Sequence, residues 1–82
     1  MKLLKEKNRL FIEHEKVDAA IFTAEKTFRF KAFINPENLE MIIPIGDFDL
    51  VLDRKEYIRC EFEDGYSIKR NKTIYDLIMG VA

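Results

Sequence analysis

The stretch Leu39-Glu40-Met41-Ile42-Ile43-Pro44-Ile45-Gly46-Asp47-Phe48-Asp49-Leu50-Val51-Leu52-Asp53 decides the fold class. Leu39, Met41, Ile43 and Ile45 alternate with Glu40, Ile42 and Pro44, which is the period-two pattern of a strand. Gly46-Asp47 follows, with glycine at the first central position of a type II′ hairpin turn. A two-residue loop pairs Ile45 with Phe48, Ile43 with Leu50 and Met41 with Leu52, all on one face. Pro44 has no N–H to give a neighbour. The preceding strand therefore stops pairing near Ile43 or lies at another edge.

The same phase extends outward. Phe28, Phe30, Ala32 and Ile34 alternate with Thr27, Arg29, Lys31 and Phe33, predicting a strand over Lys26–Ile34. A four-residue loop, Asn35-Pro36-Glu37-Asn38, sets Ile34 opposite Leu39. Downstream, a loop at Arg54-Lys55-Glu56 pairs Leu52 with Ile58. A two-residue turn at Asp64-Gly65 puts Phe62 opposite Ser67, whereas a three-residue loop, Glu63-Asp64-Gly65 with Gly65 left-handed, pairs Phe62 with Tyr66 and Cys60 with Ile68. A one-residue slip turns every side chain of a strand over, so the three-residue loop is the consistent choice. Five consecutive strands then share one apolar face.

Both ends read as helical. Thr73 with Asp76 resembles a capping box ahead of Ile74, Leu77 and Ile78, and Gly80 stops the helix. Leu3, Leu4, Leu10, Phe11, Val17, Ile21 and Phe22 fall within roughly 140° of a helical wheel. The expected fold is α+β: a five-strand antiparallel meander with an N-terminal helix and a short C-terminal helix on one face. The rival makes Arg9–His14 and Val17–Thr23 two further strands, giving a mainly β small barrel with a C-terminal helix. Within 9–23 the sequence leaves helix and strands open.

Composition bounds the function. At 82 residues, 48% hydrophobic and 35% charged, the chain reads as a single domain over 1–82 with too many apolar residues for disorder. One cysteine allows no internal disulfide, no apolar run approaches the ~18 residues of a membrane span, and the N-terminus lacks a leader's apolar block. A cytoplasmic protein is the expectation. Net charge is −1, yet residues 1–31 carry eight Lys/Arg and five Asp/Glu, residues 32–64 three and nine, and residues 65–82 three and one. No overall basic footprint results.

Catalytic chemistry finds little support. Asp47, Asp49 and Asp53 have oxygen ligands for a hard cation, but Val51 stands where a calcium loop needs a ligand, and all three lie in strand phase toward solvent. His14 is the only histidine; with Asp18 it supplies two metal ligands, short of a set. Cys60 lies in the apolar phase, where a thiol packs as a small hydrophobe, so a Cys60–His14 dyad is improbable. Ser67, the only serine, has no nucleophile elbow, and three glycines build no phosphate loop. A non-enzyme without metal or cofactor is expected.

Binding is better supported. The meander leaves Phe33, Ile42 and Val51, with Tyr57 at the rim, on the face opposite the core, where Asp49, Asp53 and Arg59 form a polar border. That register places Asp49 opposite Glu61, Glu40 opposite Asp53 and Arg59 opposite Val51, with Lys69 diagonal to Glu61. An apolar patch ringed by charge is the usual mark of a protein contact. The leading expectation is a small stand-alone protein-binding module, such as a regulator or inhibitor of phage or plasmid type, with a protein partner or a second copy of itself. The alternative is RNA or single-stranded DNA binding through Arg29, Lys31, Lys69, Arg70 and Lys72.

Overall fold

The structure is a computed structural model and describes residues 2–4, 13–22, 24–25, 27–60, 65–69 and 72–81. It is mostly β. Seven strands, β1 (Lys2–Leu4), β2 (Glu15–Phe22), β3 (Thr27–Ile34), β4 (Met41–Ile45), β5 (Phe48–Leu52), β6 (Tyr57–Cys60) and β7 (Gly65–Ile68), precede one helix, α1 (Lys72–Val81). They form one mixed sheet in the order β1-β5-β4-β3-β2-β7-β6. All pairs are antiparallel except β2 with β7, which is parallel.

The sheet must curl. Strands β5 and β6 lie five positions apart in the order, which on a flat sheet is about 24 Å. Leu52 and Tyr57 are five Cα steps apart in the chain, a reach of at most about 18 Å. The chain therefore draws β5 and β6 toward each other across a concave inner face. Ala19, Ile21, Ala32, Ile34, Met41, Ile43, Leu50, Leu52, Tyr57 and Ile68 are buried there, and α1 covers them with Ile74 fully buried in the same cluster.

The β4–β5 hairpin has the expected register, Ile45↔Phe48, Ile43↔Leu50 and Met41↔Leu52. Gly46 has φ 56°, the positive value a type II′ turn requires at that position. Pairing of β3 with β4 ends at Phe33↔Ile42, one residue short of Ile43. Among the described residues Leu39 is the one non-glycine with positive φ, 60°.

Five expectations are overturned. The α+β meander with an N-terminal helix is not formed: Glu15–Phe22 is a strand paired with all of β3. Val17 and Ile21 are four apart, a spacing that keeps two side chains on one side of a helix and of a strand alike. The small Ala19 between them is the strand-phase residue that completes the buried face. Leu10 and Phe11 lie outside the described residues.

Strand β6 does not pair with β5, whose second edge is taken by β1 through Lys2↔Val51, Leu3↔Leu50 and Leu4↔Asp49. The β6–β7 register is Tyr57↔Ile68, Ile58↔Ser67, Arg59↔Tyr66 and Cys60↔Gly65. This is three residues from the expected Cys60–Ile68 pairing, an odd shift that turns β6 over. Tyr57 points inward and Ile58 outward; Phe62 and the loop 61–64 lie outside the described residues.

Opposite Ile34 stands Met41, not Leu39. Asn35 and Asn38 accept from the main-chain N–H of Glu37 and Glu40 at 2.9 and 3.0 Å and lengthen the loop by two residues, an even shift that preserves the faces. Finally, α1 begins at Lys72 and runs through Gly80, so Thr73 lies inside its first turn and is not its cap.

Candidate functional site

Strand pairing defines the outer face as well. Lys31 pairs with Asp18, Arg29 with Ala20 and Thr27 with Phe22 across β3 and β2. Ala20 pairs with Ser67, and Ser67 with Ile58, across β7 and β6. Arg29, Ala20, Ser67 and Ile58 thus form one row over four strands. Lys31, Asp18, Gly65 and Cys60 form the next: a Cβ on Gly65 would lie 3.0 Å from the carbonyl oxygen of Asp18. Phe22 and Thr27 flank the first row on its other side.

Small residues, Ala20, Gly65 and Ser67, run down the middle of this face. Larger ones rise on either side: Phe22, Arg29 and Lys31 along β2 and β3, and Cys60 along β6, with Ile58 two residues before it on the same face. A groove of about 590 Å³ results, bordered by Asp18, Ala20, Phe22, Arg29, Lys31 and Cys60. Phe22 is 42% exposed and Ile58 54% exposed. The Lys31 ammonium forms an ion pair with the Asp18 carboxylate across β2 and β3. Cys60 is half-buried with a free thiol.

The expected contact surface is dispersed. Phe33, Ile42 and Val51 are neighbours on the outer face through Phe33↔Ile42 and Ile42↔Val51. Ile42 is 1% and Val51 4% exposed, however, and Phe33 is half-buried, so they form no exposed patch. Tyr57 is buried on the inner face, where its ring meets Tyr66 edge-on with centroids 5.6 Å apart. Asp49 is buried opposite Pro44, whereas Asp53 and Arg59 are exposed. Because β5 and β6 are not neighbours, Arg59 faces Tyr66 in place of Val51 and the expected charge lattice does not form.

Of the basic residues, Arg29 and Lys31 share the groove, Lys69 follows β7 in the outward phase, and Lys72 opens α1. Arg70 lies outside the described residues. His14 and Asp18 are both described; no group of three or more His, Cys, Asp or Glu gathers at metal-binding distance among the described residues. No helix among them is long and apolar enough to cross a membrane.

Phe22 and Ile58, like Leu39 and Phe48, are exposed apolar residues that sequence reasoning missed. The helical period puts Phe22 on the apolar face of a helix, and the expected hairpin register puts Ile58 in the core phase. The available signal was the pair Ala19-Ala20 beside Phe22: small side chains suit a central strand packed closely on both faces. Compared with known proteins, the chain matches no family model, no curated protein and no solved structure.

Proposed function

We propose that this chain is a small non-enzymatic protein-binding module whose contact surface is the outer groove of β2, β3, β7 and β6. The observation that carries this reading is the exposure of Phe22 at the edge of a floor made by Ala20 and Gly65, with Ile58 exposed on the neighbouring β6 row of the same face. Large apolar side chains left in water beside a trough are what a partner's side chains bury on docking. Arg29, Lys31 and Asp18 supply a mixed-charge border, which favours orientation of the partner over affinity.

The test uses Phe22→Asp and Ile58→Asp. Both positions are exposed, so both variants keep the fold by circular dichroism. Each loses the protein that co-purifies with the wild-type chain from its native host. Retention of that protein by both variants defeats the reading.

One observation favours a second reading, single-stranded nucleic acid. With residues 15–22 a strand, Phe22 joins Arg29 and Lys31 on one face and Lys69 continues its outward phase, so a stacking ring stands among cations. A labelled single-stranded oligonucleotide separates the two. Binding that weakens steeply with added salt supports this second reading, and no binding at low salt removes it.

A further inference from the structure

The ladder between β3 and β4 ends where a proline stands in the donor position. Asn35 N–H donates to the Glu40 carbonyl at 2.9 Å. Hydrogen-bonded pairs of an antiparallel ladder recur at every second residue. The next such pair is Phe33 with Ile42, and the one after it sets Lys31 against Pro44. Pro44 has no N–H to give. Pairing stops, and a slot opens through the sheet between the first half of β3 and the second half of β4.

This slot has a volume of about 470 Å³, within the range of roughly 300–1,000 Å³ usual for small-molecule sites. Its walls are Phe28 and Phe30 on one side and Ile43 and Ile45 on the other, with Ile78 and Met79 of α1 at its inner end. Arg29 is the one charged residue among its described lining. Strand alternation puts Phe28 and Phe30 on the inner face and Arg29 on the outer one. Anything entering from outside therefore meets a guanidinium first and hydrocarbon beyond it.

We propose that the slot binds a single-chain amphiphile with an anionic head, a medium- or long-chain carboxylate. The alkyl chain lies between β3 and β4 and ends against Ile78 and Met79, where it removes apolar wall from water. The carboxylate stays at the outer mouth beside Arg29, whose planar fork matches it. A chain suits an opening that follows two strands along their length. The slot shares Arg29 and Phe30 with the protein-binding groove, but its β4 and α1 walls are its own and it does not depend on that assignment.

The experiment is a two-dimensional NMR titration of the full chain with dodecanoate and, separately, dodecanol, both below micelle-forming concentrations. Dodecanoate is expected to bind one-to-one and shift the amides of Phe28, Phe30, Ile43, Ile45, Ile78 and Met79. Dodecanol is expected to shift the same amides with about fivefold weaker affinity, the size of a partly exposed ion pair. Arg29→Gln makes the two ligands equal without moving the site. Met79→Trp fills the inner end and removes binding of both. The proposal is overturned if dodecanoate does not bind or does not saturate, or if it chiefly shifts Phe22 and Ile58. It is equally overturned if Arg29→Gln leaves the difference intact in a folded protein.

Discussion

The Tyr57 hydroxyl donates its hydrogen to the main-chain carbonyl of Leu39. This bond ties the edge strand β6 to the loop between β3 and β4, and so holds the curled sheet closed at one end. Tyr57 is buried, and Leu39 holds its carbonyl in place with a left-handed backbone.

Tyr57→Phe removes the donor and leaves the ring packed against Tyr66. A loss of about 0.5–1.5 kcal/mol is expected for one such hydrogen bond. In a domain of this size each kcal/mol lowers Tm by about 4–8 °C. Thermal melts of the two proteins decide the matter; an unchanged Tm means the bond does not hold the sheet.

The same hydroxyl makes stability depend on high pH. Burial raises the Tyr57 pKa above its ordinary 10.0, and the neighbouring Tyr66 and Asp53 raise it further against the opposing effect of Arg54. A folded-state pKa above the unfolded one means the folded chain keeps its proton longer. This contribution is fully present below the unfolded pKa and is lost as pH rises through the folded one. Denaturation followed from pH 9 upward should show a decline that Tyr57→Phe lacks.

Leu39→Gly is expected to stabilise the protein. A left-handed backbone costs an ordinary residue about 1–2 kcal/mol, whereas glycine loses about 0.5–1 kcal/mol to its freer unfolded chain. Leu39 is 41% exposed, so only part of a leucine's burial is forfeited, and that part reduces the gain. The net is a gain of a few tenths to about 1 kcal/mol, read from urea midpoints. A drop in the midpoint means that the Leu39 side chain contributes more than its exposure indicates.

Gly65→Ala should do the reverse. The added Cβ would stand 3.0 Å from the Asp18 carbonyl oxygen, main-chain atoms that cannot swing aside. Strand β7 must then shift away from β2, with a loss of about 1–3 kcal/mol, as for other overpacked sites. Chemical denaturation of this single variant measures it, and a neutral result means that the two strands have slack.

A double-mutant cycle on Asp18 and Lys31 should return less than about 1 kcal/mol, since both side chains are 62% exposed. A larger coupling means that the pair is shielded from water.

The β4–β5 hairpin was legible in the sequence because its determinants are local. Gly46 permits the turn, and alternation over Met41–Leu52 leaves one register that sets Met41, Ile43, Ile45, Leu50 and Leu52 together on the buried face. Pro44 was equally legible: its missing N–H ends the ladder on the β3 side, while pairing with β5 continues through it. The apolar face of β3 was read correctly even though its register with β4 was two residues off, since an even shift leaves the faces alone.

Elsewhere the sequence is degenerate. Val17 and Ile21 satisfy the helical and the extended period together, so only partners can choose between them. Those partners are β3 on one side and β7 on the other, and β7 lies over forty residues away in a parallel pairing that no turn announces. Strand β1 likewise takes the edge of β5 that a hairpin would have given to β6. The sequence by itself determined what short-range physics controls: the turn at Gly46, the break at Pro44 and the apolar alternation of β3, β4 and β5. Only the tertiary structure decided that β2 is a strand, that β6 faces Tyr57 inward, and that Phe22 and Ile58 stand outside. Each of those outcomes depends on which distant strand wins a shared edge, a competition settled by burial over the whole sheet.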